Sequence, residues 1–194
     1  MRRDTIISIV IGSLVGAFFG RDWLSWAGPA VPRWQAALDT AGWTVFGAFA
    51  AAGVLIAAAA LRGPAPAAAG AGGPPKWGWF PVVIAVEVAL IIGGQNLLNG
   101  PWDRPEWAPV WTMAVVGAHF VPFGLVLRIR AFHVLACALC ALAAVTVLAA
   151  AALGGTGAWY ALPGFGGAAA LWGFAGWALW RTARGRAMES APAS

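Results

Sequence analysis

Residues 131–153 read AFHVLACALCALAAVTVLAAAAL and contain no Asp, Glu, Lys or Arg. An α-helix needs about 20 mainly apolar residues to cross a hydrocarbon core of about 30 Å. This stretch has that length. A helix that is apolar on all sides has no polar face to turn to water at the surface of a soluble domain. The lipid bilayer is therefore the solvent in which this stretch has to be interpreted.

The composition of the whole chain supports the same interpretation. Hydrophobic residues make up 61% of the 194 residues and charged residues only 10%, and the mean hydropathy is +0.77. A soluble fold could not bury so much apolar surface. The few charges also lie between long uncharged stretches, as expected where ionised groups cost several kcal/mol in hydrocarbon.

Five further stretches have the length and apolar character of membrane spans. The six predicted spans cover residues 5–24, 36–61, 79–98, 110–127, 131–153 and 163–180. The sequence therefore predicts an all-α fold, an integral membrane bundle of six transmembrane helices. This domain is expected to cover residues 1–186, and residues 187–194 are expected to form a disordered cytoplasmic tail.

The basic residues predict the orientation of these spans. Nine of the twelve fall on one side of the predicted bundle and three on the other. The nine are Arg2, Arg3, Arg62, Lys76, Arg128, Arg130, Arg181, Arg184 and Arg186, and the three are Arg21, Arg33 and Arg104. Because cytoplasmic loops carry the excess of Lys and Arg, both termini are predicted to lie in the cytoplasm.

The two longest connections differ in kind. Residues 62–76 (RGPAPAAAGAGGPPK) form a Pro/Gly/Ala-rich linker that is not expected to fold. Residues 99–109 (NGPWDRPEWAP) combine tryptophans, prolines and charges, which predicts an ordered turn at the membrane interface. Many of the 13 tryptophans, among them Trp23, Trp107 and Trp111, lie near span ends, and we interpret them as an aromatic belt.

Several functions are excluded or disfavoured. The net charge of +5 arises at helix ends rather than on a basic face, so no nucleic-acid partner is expected.

Cys137 and Cys140 lie inside an apolar stretch and are interpreted as packing residues, with a redox pair as the alternative. The chain has no nucleophile, zinc-protease or phosphate-loop motif and no carboxylate cluster for a metal. Its two histidines are expected at different depths, which disfavours haem, and no cofactor is predicted.

Glu87 is the most informative residue, because a carboxylate near the middle of the third span is expensive in hydrocarbon. His119 lies near the middle of the fourth span. Consecutive spans joined by a short turn are antiparallel neighbours, so the two residues are predicted to meet. The pair could relay protons or anchor a substrate, since His titrates near neutral pH, or it could only lock two helices together.

Two further polar residues lie towards the outer end of the third span. Gln95 falls within about 80° of Glu87 on a helical wheel and could continue a polar stripe, whereas Asn96 falls on the opposite side. Both are taken as candidate pathway or binding residues. The preceding Gly93 and Gly94 would allow either close packing or local unwinding.

Four residues are candidates for helix packing. Gly12, Gly16 and Gly20 recur every four residues in the first span, which predicts close contact with another helix of the bundle or of a second protomer. Pro122 should kink the fourth span and free a backbone carbonyl near His119. Because the glycine face could contact a second protomer, a homo-oligomer is one expected assembly. The lipid bilayer is the other expected partner.

The run Gly117–Phe123 (GAHFVPF), followed by Arg128 and Arg130, resembles a motif of small bacterial multi-span membrane proteins that have no assigned activity. The resemblance covers the fourth and fifth spans. It implies a multi-pass protein of the bacterial plasma membrane and transfers no mechanism.

Three functions of different classes remain open from the sequence. The favoured one is a carrier or channel for a small solute or for protons, with Glu87 and His119 lining the path. The second is a membrane enzyme or lipid-binding protein that uses the pair as acid and base. The third is a non-catalytic membrane subunit or scaffold that associates through the first-span glycines.

Overall fold

The structure of the protein is a computed structural model, which describes residues 3–62 and 77–189. That part of the chain consists of helices and short turns, without a strand. The helices are α1 (Arg3–Ser25), α2 (Gln35–Arg62), α3 (Phe80–Asn99), α4 (Ala108–Leu127), α5 (Arg130–Leu153), the short α6 (Gly157–Ala161) and α7 (Gly167–Glu189). The predicted all-α bundle is confirmed.

Five helices in the described residues are long and apolar enough to cross a membrane, and these are α1 to α5 with their flanking turns. The first five predicted spans agree with them to within two residues at each end. Phe80 and Pro81 begin α3, and a proline in the first turn of a helix loses no internal hydrogen bond.

The sixth predicted span, 163–180, is too short at both ends. Its helical segment begins with α6 at Gly157, passes through a π-helical turn at Leu162–Gly166, and continues as α7 to Glu189. Pro163 lies inside the π-helical turn, because a proline removes a backbone donor and disturbs the regular ladder there. α7 is less hydrophobic than α1 to α5, because its last turns contain Arg181, Arg184 and Arg186.

The ends of the predicted domain also change. Because α7 extends to Glu189, the first residues of the segment predicted as a disordered tail, 187–194, are helical. Residues 190–194 and the predicted linker residues 63–76 lie outside the described residues.

The helices pack side by side in the order α2, α1, α7, α5, α4, α3. α1 lies between α2 and α7, and α4 lies between α3 and α5. The main core includes Trp23, Met113, Leu139 and Leu171, which come from α1, α4, α5 and α7. α2 and α3 therefore occupy the two edges of the bundle, and α3 packs chiefly against α4.

Part of the glycine pattern in α1 is used against α7. The indole of Trp172 sits on Gly20 and its Nε1–H donates to the Ala17 carbonyl oxygen at 3.0 Å. A Cβ added at Gly16 would lie 3.6 Å from the Cβ of Ala175, which is ordinary contact. Gly12 meets open space, so the predicted close contact within the bundle is wrong for that residue.

Candidate functional site

The α3–α4 hairpin brings two consecutive helices together in antiparallel fashion. Three backbone hydrogen bonds close the connection, from Gly100 to Asn96, from Trp102 to Leu97 and from Arg104 to Leu98. A 3-10 turn at Pro105–Trp107 then leads into α4. The predicted ordered turn is confirmed, and it fixes the register of the two helices.

Glu87 of α3 and His119 of α4 meet in this register. Nδ1 of His119 lies 2.9 Å from Oε1 of Glu87. The side chain of Glu87 is 13% exposed and that of His119 is 14% exposed, so both are largely buried within the protein. The predicted contact between these two residues is confirmed, and it gives the buried carboxyl a hydrogen-bond partner.

The second contact of His119 bears on which ring nitrogen carries a hydrogen. Nδ1 also lies 3.0 Å from the carbonyl oxygen of Val116, one turn earlier in α4. A carbonyl oxygen can only accept, so this contact favours the tautomer with a hydrogen on Nδ1, which would donate to Val116 and Glu87 together. In that tautomer Oε1 of Glu87 is an acceptor, and the neutral ring keeps its free lone pair on Nε2.

Aromatic rings surround the His119 side of the pair. The ring of Phe120 lies 4.3 Å from the imidazole and that of Phe123 lies 5.0 Å away, in an edge-to-face arrangement. Phe123 in turn contacts Trp79 at the start of α3, with 5.2 Å between ring centroids. Apolar rings thus lie between the pair and the end of the bundle where α3 begins.

A second polar contact joins α3 and α4 about two turns from Glu87. The side-chain amide of Gln95 donates to Oγ1 of Thr112 at 3.1 Å, and Thr112 is buried. Gln95 therefore belongs to the same helix face as Glu87, as predicted. Asn96 is exposed and faces away from α4, so the structure does not bring this candidate residue to the pair.

Trp111 supplies a third contact between the two helices. Its Nε1–H donates to the Leu90 carbonyl oxygen at 2.9 Å, and its indole sits directly on Gly94. α3 remains helical through Gly93 and Gly94, so Gly94 serves close packing rather than local unwinding. α4 likewise remains α-helical through Pro122, although a proline leaves the carbonyl one turn earlier without its usual donor.

We call this row of contacts the α3–α4 seam. It comprises Glu87 with His119, Leu90 with Trp111, and Gln95 with Thr112. All three contacts join α3, whose other faces are mostly apolar and exposed, to α4, which packs against α5 on its other side. The seam can carry a proton at the Glu87–His119 pair, and it can also fasten α3 to the bundle.

Two surface hollows of the structure lie away from the α3–α4 seam. One lies on α2 between Ala36 and Val45 and the other on α3 between Phe80 and Ala89, each with a volume of about 550 Å³. Each is lined by residues of a single helix and is open to the outside of the bundle. Neither hollow is lined by Glu87 or His119.

The described residues contain no cluster of metal ligands. No group of three or more His, Cys, Asp or Glu side chains lies together in the ranges 3–62 and 77–189. Cys137 and Cys140 are free thiols on exposed positions of α5, and Sγ of Cys140 lies 4.0 Å from the Ala114 carbonyl oxygen.

No family model, curated protein or solved structure matches the chain. The candidate site therefore rests on its own geometry.

Sequence reasoning missed Thr112 and the inward role of Trp111, which we had assigned to the aromatic belt. Thr112 could have been found from the register that pairs Glu87 with His119. In an antiparallel hairpin the two residue numbers of facing positions have a nearly constant sum, and Gln95 with Thr112 has nearly the same sum as Glu87 with His119. The hydrogen bond of Trp111 to a backbone carbonyl has no comparable signal in the sequence.

Proposed function

We propose that this protein is a proton-linked carrier of a small solute, in which Glu87 and His119 bind and release the proton. The observation that carries this proposal is the 2.9 Å contact between two titratable side chains inside a membrane bundle. An ionisable residue within a membrane span marks a functional site by default, since it is costly to keep there.

The geometry suggests how a proton enters. In the tautomer with a hydrogen on Nδ1 of His119, an added proton goes to Nε2 of His119 or to Oε2 of Glu87. Protonation of the carboxyl group removes its charge and weakens its bond to His119. Because α3 lies at the edge of the bundle and packs chiefly on α4, this change would loosen α3 first.

The test is proton flux into liposomes that contain the purified protein and a pH-sensitive dye. A potassium gradient with valinomycin supplies the driving force, with and without candidate solutes outside. We expect wild-type protein to acidify the lumen faster than empty liposomes and Glu87→Gln to fall to the level of empty liposomes. Gln keeps the shape and one acceptor of Glu87 and removes its proton-binding group.

The matched control is Asn96→Ala, which changes an exposed polar residue of the same helix away from the seam. It should retain wild-type flux. Glu87→Gln protein with wild-type flux would contradict the proposal and leave the pair as a structural contact.

A second candidate function is that of a non-catalytic membrane subunit. It is favoured by the absence of Glu87 and His119 from the lining of either surface hollow and by the long apolar faces of α2 and α3. The same absence weighs against an enzyme that binds its substrate at the pair. A subunit of this kind would give no proton flux as wild-type protein, and it would bind a further membrane protein through an edge helix.

We further propose a bacterial plasma membrane location with both termini in the cytoplasm. The charges of the described residues support it, since the end of the bundle that holds the start of α1 carries most of the arginines. The described arginine side chains there are Arg3, Arg62, Arg128, Arg130, Arg181 and Arg184, and those at the opposite end are Arg21, Arg33 and Arg104. The positive-inside rule assigns the first end to the cytoplasm.

A further inference from the structure

The arginine-rich end, defined as the end of the bundle where α1 starts and α7 finishes, has few compensating acids. Among the acidic side chains that the structure describes, Asp4 lies at this end, whereas Asp22, Asp39, Asp103 and Glu106 lie at or near the opposite end. Six described arginines therefore face one described aspartate. Such an end has a net positive charge that favours an anionic partner.

One face of α7 at this end combines two tryptophans with two arginines. Trp177, Trp180, Arg181 and Arg184 follow one another at spacings of three, one and three residues, so they share a helix face. The guanidinium carbon of Arg181 lies 5.1 Å from the Trp177 ring centroid, and that of Arg184 lies 4.2 Å from the Trp180 ring centroid. Stacking on indole holds each guanidinium in place while its N–H groups stay available.

This face points away from the rest of the bundle. Trp177 is 41% exposed and Trp180 is 51% exposed, and both arginines are exposed. On the opposite side of the helix, Leu179 and Thr182 are buried. The aromatic and basic side chains of α7 are therefore free to contact a molecule outside the bundle.

The start of α5 extends this surface. The ring of Phe132 lies 5.3 Å from that of Phe174, which lies 6.2 Å from that of Trp177. The exposed Arg130 precedes Phe132 by two residues, at the same end of the bundle. An apolar row of rings thus runs between α5 and α7 with arginines at its outer edge.

We propose that this α5–α7 surface binds the headgroup of an anionic phospholipid. The phosphate would accept hydrogen bonds from Arg181 and Arg184, Arg130 would add positive charge at the same end of the bundle, and an acyl chain would lie along Phe132, Phe174 and Trp177. Guanidinium groups bind phosphate through paired N–H donors, and tryptophan prefers the depth of the lipid headgroups. Basic side chains at the membrane surface favour anionic over zwitterionic lipids.

The experiment is a thermal melt of the full chain in detergent, titrated with phosphatidylglycerol or with phosphatidylcholine. We expect phosphatidylglycerol to raise the melting temperature in a saturable way and phosphatidylcholine to leave it unchanged, because a ligand of the native state stabilises it. Arg181→Gln/Arg184→Gln should weaken the apparent affinity for phosphatidylglycerol by about tenfold or more. Arg33→Gln, an exposed arginine at the other end, is the matched control and should keep wild-type affinity.

One further variant and one further ligand complete the experiment. Arg130→Gln tests the same site from α5 and should also weaken phosphatidylglycerol binding, even if the double variant does not fold. Inorganic phosphate should not reproduce the stabilisation, because it lacks the acyl chain. Equal responses to the two lipids, full stabilisation by inorganic phosphate, or wild-type affinity in folded Arg181→Gln/Arg184→Gln protein would each overturn the proposal.

Discussion

Gly93 and Gly94 are adjacent in α3 and yet have opposite surroundings. A Cβ at Gly94 would collide with the indole of Trp111, whereas a Cβ at Gly93 would meet nothing within 4 Å. The missing side chain of Gly94 lets Trp111 approach closely enough to donate to the Leu90 carbonyl oxygen. The sequence shows a glycine pair but does not reveal which member faces α4.

This difference predicts opposite results for two substitutions. Gly94→Leu should displace Trp111 and lower the stability of the bundle by about 1–3 kcal/mol, the usual cost of overpacking. Gly93→Leu should leave stability unchanged or raise it slightly, because leucine is the better helix former. Thermal melts of both variants in the same detergent are the measurement. Equal losses of stability in the two variants would contradict the packing of the Trp111 indole on Gly94.

The Glu87–His119 contact could be predicted because depth alone selects it. A carboxyl and an imidazole near the middle of consecutive antiparallel spans have few other partners. Which nitrogen of His119 carries the proton could not be predicted, since it depends on the distance to the Val116 carbonyl oxygen. That distance follows from the side-chain rotamer of His119.

At the scale of the helices, hydropathy located the first five spans to within two residues, because lipid contact sets where each apolar run must end. The last helical segment was predicted too short at both ends. The helix instead passes Pro163 through a π-helical turn, and its arginines extend beyond the apolar part while the backbone stays helical.

The rotation of each helix could not be predicted from hydropathy. Lipid-facing and core-facing residues are about equally apolar in a membrane, so apolarity does not distinguish the two faces. In α1 the glycine spacing suggested one face through Gly12, Gly16 and Gly20, but the buried face also contains Ser13 and Ala17 and excludes Gly12. A glycine is required at position 20 because the indole of Trp172 on α7 occupies the space of a side chain there.

We therefore expect the two end glycines of the α1 pattern to differ in effect. Gly20→Leu should push Trp172 off the Ala17 carbonyl oxygen and separate α1 from α7, with a loss of about 1–3 kcal/mol. Gly12→Leu should leave the melting temperature unchanged. A smaller oligomer for Gly12→Leu in size-exclusion chromatography would place a second protomer on this open face, and a destabilised Gly12→Leu monomer would contradict the structure of α1.

At the scale of the whole molecule, the order of the helices was beyond sequence reasoning. The neighbours of α1 are α2 and α7, so the two ends of the chain pack together while α2 and α3, which are consecutive, lie at opposite edges. The charge asymmetry, in contrast, could be predicted, since it depends only on how many spans separate the basic residues. Of the nine arginine side chains that the structure describes, six lie at the arginine-rich end.

The asymmetry predicts the result of labelling in intact cells. In a background with Cys137 and Cys140 replaced by Ala, Asp103→Cys in the α3–α4 hairpin should react with a membrane-impermeant maleimide. Ser194→Cys should react after the membrane is opened and not before. The opposite pattern would invert the topology and place the arginine-rich end outside.

We expect Nδ1 of His119 to donate a hydrogen bond to Glu87, and nitrogen NMR tests this expectation directly. The chain has two histidines, so ¹⁵N-histidine labelling of the His133→Gln protein isolates the His119 ring. We predict a protonated Nδ1 in the reconstituted protein, with a resonance that shifts when Glu87→Gln is introduced. An unprotonated Nδ1, or a spectrum that Glu87→Gln leaves unchanged, would contradict the account.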